Sequence, residues 1–148
     1  MSSVFSNQAM WYNNNGYSGQ GAYAFPQKDY DASPLNRVVA TYKPGSAHAE
    51  ASGDKPVEYA YAANTASEVK KLTVAFSTQN LSISGYWPAG TFIKTTVADE
   101  DGRTVITFSD LDGRTHLARV MDGSTVSGYI QRAYYYDTLG HLIQVVEM

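Results

Sequence analysis

Cysteine is absent from the 148-residue chain, which excludes disulfides, thiol catalysis and cysteine-ligated zinc. Charged residues make up only 17% of the sequence, and no block of five like charges occurs, so we expect no nucleic-acid partner. No apolar run approaches the roughly 20 residues of a membrane span, so we expect no membrane insertion. The first residues also lack the charged and apolar regions of a signal peptide.

Tyrosine and glycine are abundant: the chain contains 12 of each, with only five phenylalanines. Tyrosine and threonine favour a pleated, half-buried surface, whereas glycine supplies tight turns. Hydrophobic residues reach 43%, which is enough for a folded core. The composition therefore predicts an all-β chain.

The tetrad Asp-Gly-Arg-Thr occurs at 101–104 and again at 112–115. From Thr91 to the end, short runs of alternating apolar and polar residues are separated by turn signals of this kind, which predicts an antiparallel meander of β-hairpins. Glycine tolerates the positive φ of a hairpin corner, and aspartate caps the backbone there. The predicted corner residues are Asp101, Gly102, Asp112, Gly113, Asp137 and Gly140.

The first 28 residues show neither helical nor strand periodicity. We predict that residues 1–28 form an irregular leader that packs on the body, and that residues 29–148 form the β domain. Six aromatic residues are candidates for packing or for stacking on a ligand such as a sugar: Trp11, Tyr30, Tyr86, Trp87, Tyr134 and Tyr136.

The segment "YYYDTLGHLIQVV", Tyr134–Val146, resembles the YD repeat of Rhs-type proteins, with His141 where arginine is usual. The segments "FSDLDGRTHLARV" and "TVADEDGRTVITF" are similar units in which the tyrosine is replaced. The segment "YDASPLNRVV", Tyr30–Val39, resembles another unit, with Ser33 and Pro34 inserted in the corner. The resemblance extends from Asp29 to Met148.

This resemblance implies a bacterial protein, secreted or on the cell surface, whose β-hairpins wind into a shell that often encloses a toxic cargo. The family's "DPxGLxGG" core motif, its self-cleaving aspartate pair and any cargo are absent from the sequence. We therefore expect a non-catalytic structural segment upstream of the core, with the remainder of the parent repeat protein as its partner. The signal peptide would then lie outside the printed chain.

Two alternatives stay open. The chain could be a β module that binds a glycan or a protein through its aromatic side chains or a sheet edge. It could also be a hydrolase that uses clustered carboxylates, for which the candidates are Glu50, Asp54, Glu58 and Glu68.

No catalytic motif supports an enzyme. The chain has neither a G-x-S-x-G elbow nor an H-E-x-x-H pair, and His48, His116 and His141 show no metal-ligand spacing. The acidic residues around Gly102 and Gly113 fail the EF-hand pattern, because no glutamate occupies its last position. We expect no enzyme, no metal and no cofactor.

Overall fold

The structure is a computed structural model that describes residues 2–17, 20–48, 55–75, 80–121 and 129–147. The chain divides into two compact units. The first contains residues 1–59 and 98–101, and the second contains residues 60–97 and 102–148. Among the described residues, no helix is long and apolar enough to cross a membrane.

The first unit begins with a helix, α1 (Ser2–Asn14), followed by a short 3₁₀ turn at Gly21–Tyr23. Strands β1 (Gln27–Tyr30) and β2 (Val38–Tyr42) pair antiparallel, and β2 pairs in turn with the start of β3 (Val57–Ala63). A second 3₁₀ turn, Ser46–His48, follows β2.

Helix α1 corrects the prediction of an irregular leader, which is wrong for Ser2–Asn14. The helix carries no clear apolar stripe, since Val4, Met10 and Trp11 are all exposed. The sequence therefore has no helical periodicity that marks it. Tertiary contacts support it instead. Gly21 lies so close to the helix that a Cβ there would approach the Ala9 carbonyl oxygen to 2.5 Å. The Gly21 N–H also donates to Asn13 Oδ1 at 3.2 Å.

The second unit is built of antiparallel strands, and the prediction of an all-β meander of hairpins is confirmed. Its sheet has the order β3-β6-β7-β8-β9-β10, while β4 and β5 form a separate hairpin. The strands are β4 (Lys70–Ala75), β5 (Asn80–Tyr86), β6 (Ile93–Ala98), β7 (Thr104–Ser109), β8 (Thr115–Met121), β9 (Tyr129–Tyr136) and β10 (Leu142–Glu147).

The core of the second unit lies on one face of this sheet. Phe108 is fully buried on β7, while Val105 of the same strand points the other way and is 37% exposed, as strand alternation requires. The buried cluster comprises Val69, Phe92, Phe108, Leu117 and Ala133. Leu72 and Trp87 pack against it and bring the β4–β5 hairpin onto the sheet.

Candidate functional site: aspartate-centred corners and an adjoining pocket

The turn between β7 and β8 is organised by Asp110. Its Oδ1 accepts hydrogen bonds from the backbone N–H groups of Asp112 at 3.0 Å and Arg114 at 2.9 Å. Its Oδ2 accepts one from Arg114 Nε at 2.8 Å and lies 3.0 Å from His116 Nε2. Gly113, with φ of 82°, donates its N–H to the Asp110 carbonyl oxygen. One carboxylate thus closes the turn and fixes the arginine that follows it.

The turn between β9 and β10 repeats this arrangement around Asp137. Its Oδ1 accepts from the N–H groups of Leu139 and His141, both at 2.8 Å, and its Oδ2 lies 3.0 Å from His141 Nδ1. Gly140 has φ of 86° and donates to the Asp137 carbonyl oxygen. His141 therefore occupies the place that Arg114 holds in the previous corner.

The turn between β1 and β2 is a longer version of the same corner. Asp31 Oδ1 accepts from the N–H of Arg37 at 3.0 Å, and its Oδ2 accepts from Arg37 Nε at 2.8 Å. Asn36, with φ of 47°, takes the left-handed conformation that glycine takes elsewhere. The two extra residues, Ser33 and Pro34, are accommodated because Ser33 bonds the carboxylate through its hydroxyl group.

These contacts show which aspartates organise the corners. Asp101 and Asp112 are the predicted corner aspartates, but Asp112 is exposed and, among the described residues, its carboxylate contacts only the Arg114 side chain. The aspartate three residues before the glycine makes the backbone contacts, and Asp99 starts the same pattern by accepting from the Asp101 N–H at 3.0 Å. The three-residue spacing of Asp137 and Gly140 recurs from Asp99 to Gly102 and from Asp110 to Gly113, and alignment on this spacing identifies Asp99 and Asp110.

Consecutive corners on the same rim of the sheet contact each other through Arg114 and Tyr136. The Tyr136 hydroxyl donates to the Thr115 carbonyl oxygen at 3.0 Å, and the Arg114 guanidinium lies 6.0 Å from the Tyr136 ring centroid. Arg114 Nη1 also lies against Gly140, where a Cβ atom would collide with it. The tyrosine that precedes Asp137 thus anchors one repeat to the backbone of the one before.

The corner carboxylates are held ionised. Burial raises the pKa of Asp110, but hydrogen bonds from His116 and Arg114 outweigh it and hold that pKa well below its ordinary value. The hydrogen bond from Ser33, together with those from Arg37, lowers the pKa of Asp31 to about 2 despite burial. The backbone N–H of His141 is the main cause that lowers the pKa of Asp137. Burial raises the pKa of Tyr136, with the Asp110 charge adding to it.

An aromatic cluster extends from the Asp110 corner toward the core. The His116 ring lies 4.8 Å from the Phe92 ring and 5.2 Å from the Tyr136 ring, between centroids. Trp87 packs edge-on against Phe92 at 5.4 Å. The segment that carries Trp87 is pinned by Asn64, which is 2% exposed and donates from Nδ2 to the Pro88 carbonyl oxygen at 2.8 Å.

A pocket of about 350 Å³ opens beside this cluster, within the second unit. Residues of β4, β8 and β9 line it together with Trp87 and the Asp137 corner. Its lining includes the apolar residues Val69, Leu72 and Leu117, together with the cations Lys71 and Arg114. The pocket thus combines apolar side chains with charged groups of both signs, since Asp137 also lines it.

The remaining predicted aromatic residues are dispersed. Tyr30, Tyr86 and Trp11 are about half exposed, whereas Tyr134 is half-buried and lines the pocket. Trp11 makes a T-shaped contact with Tyr12 on α1. Each of the three exposed rings belongs to a different helix or strand.

The candidate hydrolase carboxylates fall into three groups. Glu50 and Asp54 lie outside the described residues. Glu58 is exposed on β3, and Glu68 is paired with Lys94 at 2.5 Å.

His48 is exposed in a 3₁₀ turn. Within the described ranges, no three histidine or carboxylate side chains come together as metal ligands would.

The fold and the corners define the class of the protein: an all-β chain of antiparallel hairpins in which described turns are built around an aspartate. Residues 1–63 match a family model described as a domain of unknown function, DUF6443. This match contains the Asp31 corner and ends with β3. No curated protein and no solved structure matches the chain.

Proposed function

We propose that the chain is a non-catalytic structural segment of a larger YD-repeat protein of the Rhs type, in which stacked hairpins form part of a β shell. The observation that carries this proposal is the recurrence of one hydrogen-bonded corner at Asp31, Asp110 and Asp137. A repeated local structure with the same bonds is typical of an array built from similar units.

The contacts between neighbouring corners support the same role. Tyr136 bonds the backbone of the previous repeat, and Arg114 packs on the glycine of the next corner. The polar side chains at the corners are therefore engaged with the fold itself. A secreted or surface-exposed parent protein follows from the resemblance to this family and is part of the proposal.

Sequencing of the reading frame on both sides of the chain tests the assignment to the family. We expect further units with an aspartate, a glycine three residues later and a basic residue after it. A frame that joins this chain to unrelated domains, without any such unit, would refute the proposal.

A pair of variants tests the structural role of the corner. Asp110→Ala removes an acceptor for two backbone N–H groups, so we expect it to lower the free energy of unfolding by about 2 kcal/mol. Asp112→Ala removes only an exposed ion pair, and the loss should stay below about 0.5 kcal/mol. Equal losses in urea unfolding would contradict the role assigned to Asp110.

A second candidate function, binding of a glycan or a protein, is supported by a tyrosine-lined pocket in the first unit. Tyr12, Tyr17 and Tyr23 line a pocket of about 400 Å³, and the Tyr12 and Tyr17 rings lie 5.6 Å apart. Tyrosine rings offer apolar faces on which a sugar ring can stack, and the Gln20 amide beside them is bonded to Ser46. A glycan array with Tyr17→Ala as the control variant tests this candidate, and the absence of any bound glycan would exclude sugar binding.

A further inference from the structure

Part of the lining of the pocket in the second unit belongs to the buried core. Val69 and Leu117 are each 2% exposed and Ala133 is 4% exposed, and all three line the pocket. Leu72 and Trp87, which pack against the same core, form its side. Its volume of about 350 Å³ lies at the small end of the roughly 300–1,000 Å³ that ligand sites span. The pocket therefore has the volume of a small-molecule site.

The charged groups that line the pocket differ in whether they already have hydrogen-bonding or ion-pair partners within the protein. The Arg114 guanidinium is bonded to Asp110 and Asp112, and the Asp137 carboxylate is bonded to the His141 ring and to backbone N–H groups. These charges are matched within the corners. Because both groups already have bonding partners within the protein, neither needs a ligand to satisfy it.

Lys70 and Lys71 also line the pocket, and Lys71 differs from Lys70 because its ammonium group contacts an aromatic ring. The exposed Lys71 side chain places its Nζ 5.0 Å from the centroid of the Trp87 ring, and within the described part of the chain it forms no ion pair. A cation–π contact orients an ammonium group but leaves its charge uncompensated. Lys71 therefore presents a positive charge beside Trp87, in a pocket that the apolar side chains of Val69, Leu117 and Ala133 also line.

We propose that this pocket binds a small carboxylate with a planar apolar body. The carboxylate accepts hydrogen bonds from Lys71 Nζ, and the body packs against the partly buried apolar side chains of Leu72 and Trp87. This site is additional to the structural role proposed above and does not depend on it.

The experiment follows the indole N–H signal of Trp87 by NMR during titration with benzoate. The Trp11→Phe background leaves Trp87 as the reporter, since the chain has two tryptophans and Trp11 is exposed on α1. We expect a saturable shift with benzoate and a much weaker one with benzyl alcohol, which has the same ring without the charge. Glucuronate, a carboxylate on a polar ring, should also bind weakly.

Variants of Lys71 separate a binding role from a structural one. Lys71→Met should weaken benzoate binding by about tenfold or more, as loss of a charge-assisted hydrogen bond implies, while Lys71→Arg retains it. Lys28→Met, which removes an exposed lysine from β1, is the matched control and should leave binding unchanged. All variants should keep the wild-type melting temperature.

Three results would overturn the proposal. The first is the absence of a saturable Trp87 shift with benzoate. The second is that the wild-type protein binds benzoate and benzyl alcohol with equal affinity, or that the wild type and Lys71→Met bind benzoate with equal affinity. Either outcome would show that the charge does not contribute to binding. The third is tighter binding of glucuronate than of benzoate, which would show that the site selects a sugar acid instead of an apolar body.

Discussion

The Asp110 and Asp137 corners share their backbone bonds and differ in the residue that follows the glycine. Both aspartates accept from the N–H groups two and four residues later, and both glycines have φ above 80°. Arg114 at the first corner reaches across to the second, whereas the His141 side chain is 74% exposed and, within the described part of the chain, contacts only Asp137.

This difference shows that the residues of the corner motif have two separate roles, which are to form the turn and to link neighbouring repeats. The aspartate and the left-handed residue form the turn itself, because they are common to both corners. The basic residue links neighbouring repeats only where another corner lies within its reach, as Gly140 and Tyr136 do for Arg114. The Asp31 corner supports this division of roles, since it has an aspartate and a left-handed residue despite its greater length.

The largest expected effect is a loss of stability in acid, because it acts on the corners together. The pKa values of Asp31, Asp110 and Asp137 are lower in the folded chain than the ordinary value of 3.8, so the unfolded chain binds more protons in this range. Their contribution is complete above the ordinary pKa. It should fall as pH drops from about 4 toward 2, with Asp31 itself titrating at about 2.

Urea unfolding at several pH values measures this loss. An Asp110→Asn variant should show a shallower dependence on pH than wild type. The Asp101→Asn variant at an exposed turn position is the control and should follow the wild-type curve. Parallel curves for all three proteins would contradict the shared role of the corner carboxylates.

The glycines of the two corners should respond unequally to alanine. Gly113→Ala places a side chain at positive φ with open space around it, and we expect a loss of about 1 kcal/mol in the free energy of unfolding. Gly140→Ala adds a collision with the Arg114 guanidinium, which Asp110 holds in place, so its loss should be about 2 kcal/mol. Thermal denaturation of both variants checks the order, and a larger loss at Gly113 would show that Arg114 moves aside freely.

The link between repeats can be weakened at a single hydroxyl group. Tyr136→Phe removes the hydrogen bond to the Thr115 carbonyl oxygen, and we expect it to cost about 1 kcal/mol in urea unfolding. Tyr134→Phe, two residues earlier on the same strand, should have almost no effect. If the two variants are equally stable, the bond across the corners contributes nothing.

The smallest effect is expected from restoring the usual basic residue at the second corner. His141→Arg should keep the backbone bonds of the corner and raise the melting temperature by about 1–2 °C, since an exposed arginine pair with Asp137 is worth little. A drop of several degrees would show that the His141 ring has a contact that arginine cannot replace.

The β class and the corners could be read from the sequence because both depend on local chemistry. Alternation in Thr104–Ser109 predicts which side chains are buried, and glycine after aspartate marks the turns. The sequence of the turn by itself does not show whether Asp110 or Asp112 caps it, because both lie in it and only the hydrogen bonds distinguish them. Helix α1 was missed because its support comes from Gly21 and not from its own periodicity.

The amino-acid sequence by itself therefore determined the secondary-structure class and the position of the turns, since each depends on a few neighbouring residues. Tertiary structure alone decided that Arg114 lies on Gly140, that Tyr136 bonds to Thr115, and that Lys71 stands over Trp87 at the edge of a pocket. The physical reason is that these contacts join residues far apart along the chain. Their meeting depends on strand order and register, which no short stretch of sequence encodes.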